Sequence, residues 1–113
     1  SCYRSPFQML VHQRNGLLLS LRGALAVTEQ LGQTIFDAAP CDSCLTKPCL
    51  PACPVSAFDV TGYDADMCRT HISTNDSTNC LTKGCTARHA CPISQRVERS
   101  AAQSAFHMRA FFK

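Results

Sequence analysis

Seven cysteines in two short runs, each closing on Cys-Pro, constrain this chain more than any hydrophobic pattern in it. The first run reads Cys41-x2-Cys44-x4-Cys49-x3-Cys53-Pro54 and the second Cys80-x4-Cys85-x5-Cys91-Pro92, with Cys68 a short way upstream. With Cys2 set aside, eight of the nine cysteines remain, enough for two four-thiolate sites. Few large aliphatic residues surround them, because the apolar side chains gather in residues 7–39 and 93–112. A chain of 113 residues is one domain, or one domain with an extension, and its core is modest. Folds with thin cores are commonly held together by disulfides or metals.

Disulfides are the simpler reading of so many cysteines, and three features weigh against it. The count is odd, no secretory signal region precedes the runs, and the spacings are those of metal ligands on loops. Residues 17–19 are too short an apolar run for a signal sequence or a membrane span. A cytoplasmic protein without membrane insertion is therefore expected. The first residue is Ser1 and not methionine, so the start is read as processed or truncated.

The formal net charge is +3, and seven of the eleven basic residues lie from Arg69 onward. That weak basic bias is compatible with an acidic partner, but no arginine-aromatic run of the kind that binds single strands is present, so no nucleic acid is expected. The acids Asp59, Asp64, Asp66 and Asp76 sit in turn-like stretches, without the pairing that acid–base catalysis needs. Neither a phosphate loop nor a Ser-His-Asp order stands out. The expectation is a protein that is not an enzyme.

Along the chain, Asn15-Gly16 between apolar runs is a strong hairpin signal, because a type I′ turn needs positive φ at both central residues. It predicts a hairpin of residues 9–13 with 17–27, Gly23 marking a bulge or a close backbone approach. Residues 28–40 read as a polar loop ending at Pro40, and residues 41–54 as loop, since ligands so closely spaced must converge. Pro54 to Phe58 predicts one helical turn with proline first. Thr61-Gly62-Tyr63 predicts a turn between two weak strands, and residues 70–79 a polar surface insertion. Val97, Ala101, Ala105, Met108 and Phe112 fall on one face of a helix, which packs on the cysteine region or the hairpin, or docks a partner.

Thiolates in such runs suit iron–sulfur chemistry. A cubane cluster takes four soft donors, and a short loop supplies three at low entropic cost. Zinc is the competing metal, since Cys41-x2-Cys44 fits either, but the later spacings and both Cys-Pro pairs favour iron. A zinc-stabilised interaction module stays as the alternative. Two clusters of about −2 each would turn the formal +3 into roughly −1.

From Cys41 to about Ile93 the chain resembles the bacterial-type ferredoxins with two [4Fe-4S] clusters. Cys53-Pro54-Val55-Ser56-Ala57-Phe58, then Gly62-Tyr63-Asp64 and Cys68, resembles the link between the two motifs of that family. The first run, with Pro48 before its third cysteine, is similar to iron–sulfur subunits of molybdopterin oxidoreductases. The second run departs from the family, with eleven residues between Cys68 and Cys80. It is more similar to the ferredoxin-like domain of epoxyqueuosine reductase and its corrinoid-dependent relatives, whose lead-in also looks faintly like Phe7 to Leu25.

The resemblance implies two [4Fe-4S] clusters in an α+β, small ferredoxin-like domain. Cys41, Cys44, Cys49 and Cys91 would hold cluster I, and Cys53, Cys68, Cys80 and Cys85 cluster II, with His71 the alternative to Cys80 or Cys85. The segments are then an N-terminal β-hairpin extension (1–40), a two-cluster module (41–93) and a C-terminal amphipathic helix (94–113). The implied function is one-electron transfer between redox partner proteins. Its alternative is electron delivery within a larger reductase, cobalamin-dependent or similar, of which this chain would be a domain or fragment. Lys47, Arg69, Lys83 and Arg88 lie near ligands in sequence and are expected to raise potentials. Cys2 is expected to be a free thiol, and His12, His89 and His107 to be solvent-facing or packing residues.

Overall fold

The computed structural model describes residues 2–32 and 38–113. Its described residues form a mixed helix-and-sheet arrangement of two small antiparallel sheets and four helices. Strands β1 (Cys2–Arg4) and β2 (Leu10–His12) pair in the register Cys2–His12, Tyr3–Val11 and Arg4–Leu10. Between them Gln8 donates its N–H to the Ser5 carbonyl at 2.9 Å, and the Ser5 N–H reaches the Met9 carbonyl at 2.8 Å. Pro6 at the second turn position suits the tight turn that the Gln8–Ser5 bond closes, and Gln8 follows in a left-handed conformation at φ +66.

This corrects the expected pairing of residues 9–13 with 17–27. Asn15-Gly16 does make a tight turn, with Gly16 at φ +56 and paired backbone bonds of 2.9 and 2.8 Å between His12 and Gly16. The turn launches no strand, because side chains capture the backbone beyond it. Leu17 donates its N–H to Ser94 Oγ at 2.9 Å, and the Arg88 guanidinium bonds the carbonyls of Leu17 (2.7 Å) and Leu19 (2.6 Å). From residue 20 to 32 the chain runs exposed and outside any sheet, Leu25 being 95% accessible. Gly23 has no atom within 4 Å of where its Cβ would be, so it marks neither a bulge nor a close approach. The loop expected over 28–40 lies partly outside the described residues.

Strands β3 (Phe58–Asp59) and β4 (Gly62–Tyr63) form the second hairpin, as the Thr61-Gly62-Tyr63 signal predicted. Ahead of it, residues 54–57 are a turn and not a helical one. Ser56 donates to the Cys53 carbonyl at 3.1 Å and lies at φ +52, outside the helical region. The expected surface insertion is largely ordered. Helix α1 (Ala65–Thr74) starts where the Asp64 side chain accepts the Met67 N–H, so its first orphan donors are capped by an acid. Two short helices follow, α2 (Cys80–Lys83) and α3 (Thr86–Ala90), then a 3-10 turn at Ser94–Arg96.

Helix α4 (Ala101–Phe112) is capped by Ser100, whose hydroxyl accepts the Gln103 N–H. Its buried residues are Ser104, Ala105 and Met108, so the packed stripe is rotated from the one expected. Ala101 and Phe112 are exposed, and Val97 precedes the helix. The stripe packs on α2, where Met108 joins Ile72 and Cys80 in a small apolar cluster. The main core joins Phe7, Val11, Leu17, Ala57, Phe58 and Ala87 to Cys49, Cys53 and Cys91. Sulfur is thus part of the hydrophobic core. Among the described residues no helix is long and apolar enough to cross a membrane.

Candidate metal centres

Turns govern the first run of cysteines. Asp42 donates to the Ala39 carbonyl and Leu50 to the Lys47 carbonyl, at 2.9 and 3.0 Å, and Lys47 sits at φ +40. Lys47 Nζ folds back onto the Cys44 carbonyl at 3.3 Å. The run therefore coils about a point. Cys91 arrives from the far end of α3, in an extended conformation that Pro92 follows. Gly16 lies against it: a Cβ there would stand 3.1 Å from the Cys91 sulfur.

Burial and neighbouring thiols act together on two cysteines of the first set. Burial pushes the Cys41 thiol up, and the negative forms of Cys91 and Cys44 push it further, against the pull of Lys47. Cys49 is raised by burial, then by Cys91, with Cys41 and Cys44 adding to it and its own backbone N–H opposing. Cys41, Cys44, Cys49 and Cys91 together line a cavity of about 520 Å3, with Val11, Leu17 and Pro92 on its apolar walls.

The second set comes from four separate elements. Cys53 precedes the turn into β3, and its sulfur accepts the Ala57 N–H at 3.3 Å. Cys68 lies on the first turn of α1. Its thiol is raised by burial and by Cys53 and Cys80, and lowered by a hydrogen bond from the Tyr63 hydroxyl and by Arg69. The Tyr63 hydroxyl is pushed up in turn, first by burial and then by that bond. Cys80 opens α2, where the Asp76 carboxylate takes the N–H groups of Cys80 (2.7 Å) and Leu81 (2.9 Å). Thr78 Oγ1 lies 3.1 Å from the Cys80 sulfur.

Gly84, at φ +104, turns the chain so that Cys85 starts α3. A Cβ on Gly84 would meet His89 Nε2 at 2.6 Å and Ser104 Cβ at 2.8 Å, so only glycine fits this corner. Burial pushes Cys85 up to about 11, helped by Cys80. The N–H groups of Arg88 and Ala87 oppose that shift, although no capping hydrogen bond closes.

Each shifted thiol is therefore pushed by members of its own set, Cys41/Cys44/Cys49/Cys91 or Cys53/Cys68/Cys80/Cys85. All nine cysteines are unbridged, and Cys2 lies exposed on β1 in neither set. Among the described residues, no group of three or more His, Cys, Asp or Glu side chains is placed to hold a metal ion.

The remaining candidates take structural parts. His12 Nδ1 accepts the N–H groups of Arg14 and Asn15 at 3.2 Å, which shapes the turn before Gly16. His89 Nε2 lies 3.3 Å from Ser104 Oγ, and His107 meets the Phe106 ring edge-on. Asp59 caps its own hairpin, and Asp66 pairs with Arg69 at 3.7 Å. Among the described residues, three buried side-chain polar atoms have no hydrogen-bond partner: His71 Nε2, one helical turn beyond Cys68; Thr86 Oγ1, next to Cys85; and Ser5 Oγ, whose residue lines the cavity of the first set.

Sequence reasoning missed Tyr63, Asp76, Ser94 and the clamp made by Arg88. Asp76 stands three residues before the N-cap position Asn79, so the usual capping signal does not announce it. The Ser94 and Arg88 bonds span 77, 71 and 69 residues, and no local pattern announces them.

A scan against protein-family models matched none, and searches of curated proteins and of solved structures found no match either.

Proposed function

We propose that the chain is a one-electron carrier that holds two [4Fe-4S] clusters in a ferredoxin-like arrangement. The observation that carries this reading is that burial and neighbouring thiols raise Cys41, Cys49, Cys68 and Cys85, the thiols that push each one belonging to its own four, with Cys49, Cys53, Cys80 and Cys91 buried. Cys41, Cys44, Cys49 and Cys91 would hold one cluster, and Cys53, Cys68, Cys80 and Cys85 the other.

The donor sets fit such a group. Four soft thiolates and no carboxylate make up each set, and the first opens on a cavity far larger than one ion needs. The partnerless Ser5, His71 and Thr86 atoms beside the sets are what an acceptor-bearing inorganic sulfide core would satisfy. A four-iron, four-sulfide cluster held by four thiolates supplies a centre that gains or loses one electron. The chain's own residues set the conditions for that exchange. Ala57 N–H and Tyr63 O–H donate to ligand sulfurs, and the Arg88 and Ala87 N–H groups face a third. Donors of this kind stabilise the more negative, reduced state and so raise the potential. Phe7, Val11 and Phe58 keep water from the sulfurs they pack against.

Anaerobic purification, with iron, sulfide and zinc analysis, tests the reading. About eight irons and eight sulfides per chain, a brown colour and reversible bleaching by dithionite are expected. A colourless protein with two zinc ions would overturn it in favour of an interaction module. Electron delivery to a larger reductase uses the same thiols, and turnover of such an enzyme only when this chain is present would distinguish it from a free carrier.

A further inference from the structure

Positive charge collects on one side of the second thiol set. A shallow cleft between α3 and α4 is lined by Cys85, Arg88, His89, Arg99, Ser104 and His107. Arg22, from the exposed segment after Leu19, does not line the cleft but stands near enough to His107 to act on it electrostatically. Arg99, Arg22 and Arg88 all hold the His107 ring toward its neutral form after burial has done so, and Arg99 and Arg88 do the same to His89. Among the described residues, no carboxylate forms an ion pair with them. The ion pair formed among the described residues, Asp66 with Arg69, lies on α1. Glu98, beside Arg99 in sequence, is exposed and unpaired with it. Arg88 is pinned by the Leu17 and Leu19 carbonyls, which fix its charge in place without cancelling it.

The cleft holds only about 10 Å3 of free space, barely one water, so a phosphate or other small anion cannot enter it. Recognition must come from a surface laid across it. Phe106, 61% exposed, meets the His107 ring at the edge of this face, and aromatic rings together with arginines are what energetically dominant interface centres are made of. With both clusters bound the formal charge is roughly −1, so this positive face would orient the molecule as a local pole, not through its net charge.

We propose that this basic cleft is the docking face for an acidic redox partner protein, which would exchange electrons at the Cys85 side of the second set. The docking rests on the charge and shape of the face; the electron exchange rests on the electron-carrier reading above.

The test uses the full chain, anaerobically loaded, and a small acidic FMN carrier protein as probe, with basic cytochrome c as the opposite-charge control. Binding is followed by calorimetry with the flavin-free probe, and electron exchange by stopped flow with the flavin-bound one. The expected result is at least tenfold weaker binding and slower exchange between 20 and 200 mM salt, and a similar loss at low salt in Arg22→Glu. Cytochrome c should show the reverse salt trend. Arg99→Gln, which adds no opposing charge, should fall between parent and Arg22→Glu. Binding that follows this pattern without electron exchange upholds the docking face and removes the carrier reading. Electron exchange that is indifferent to Arg22→Glu and Arg99→Gln overturns the docking face and leaves the carrier reading standing. Displacement of the probe by a single-stranded oligonucleotide at equimolar concentration would assign the face to nucleic acid and overturn the proposal.

Discussion

Gly16→Ala should unfold this protein more readily than any other single-methyl addition to its described glycines except Gly84. The new Cβ would lie 2.5 Å from Ser94 Oγ, 2.6 Å from Ser94 N and 3.1 Å from the Cys91 sulfur. Ser94 is 1% exposed and has nowhere to retreat. The residue also stands at φ +56, where an L side chain costs about 1–2 kcal/mol. Moving Ser94 would break its bond to the Leu17 N–H and strand a buried donor, about 1–3 kcal/mol more. The sum, about 2–5 kcal/mol, is a large share of the roughly 5–15 kcal/mol that stabilises a domain. With a urea slope of about 2 kcal/mol per molar, the unfolding midpoint should drop by about 1–2.5 M. Gly23→Ala is the control: nothing lies within 4 Å of its Cβ, so its midpoint should hold or rise slightly. Ser94→Ala separates the two costs, because it loses the hydrogen bond without the clash. A Gly16→Ala midpoint equal to the parent's, or a Gly23→Ala loss of the same size, would refute the packing argument.

Tyr63→Phe removes the hydroxyl that donates to Cys68, so on the proposed reading one of two midpoint potentials should fall by about 20–60 mV, the equivalent of roughly 0.5–1.5 kcal/mol for one electron; anaerobic redox titration reads it, and unchanged potentials would remove the role. Arg88→Lys should not rescue Arg88→Ala, because an ammonium cannot reproduce the forked bonds to Leu17 and Leu19. Limited proteolysis should cut within residues 17–32 faster in both variants than in the parent. Asp59 is held below the usual carboxylate range by the Thr61 hydroxyl, with the Thr61 and Gly62 N–H groups assisting. Its depressed folded value means that the stability it adds is present above about pH 3.9 and is lost as pH falls through that lower value. Carboxyl-carbon NMR should show Thr61→Val shifting the titration upward, and an ordinary value in the parent would contradict the hydrogen-bonded geometry.

Local features of the fold were legible where the chain decides locally. Gly62 at the second hairpin and the existence of helix α4, though not its packed face, are such cases, and so is the crowding of Cys41, Cys44 and Cys49, which a short loop cannot hold apart. The first hairpin was misread for a physical reason. Asn15-Gly16 is the stronger turn signal, but the strand after it was outbid by contacts from Ser94 and Arg88, about 70 residues away. Pro6 and Gln8 close the real hairpin, and Gln8 in a left-handed conformation has no sequence signature. The nearness of Cys91 to Cys41 and Cys49 depends on where α3 ends, and the spacing of the second run does not encode that. The charged cleft escaped for the same reason, since Arg22, Arg88 and Arg99 come from three separate stretches of chain.

Helix α3 joins Cys85 of one thiol set to Cys91 of the other across five residues. A chain emerging from the ribosome therefore carries two incomplete sites until nearly the same moment. The second set lacks its last donor until Cys85 is out, and the first until Cys91 follows six residues later. Neither can be filled early to scaffold the rest. Six earlier thiols are meanwhile exposed to oxidation and to the wrong ion. If the proposed reading holds, delivery of the inorganic cores would be an event of late biogenesis, and a shortage of iron should leave a population with both centres missing in place of one with half of them made.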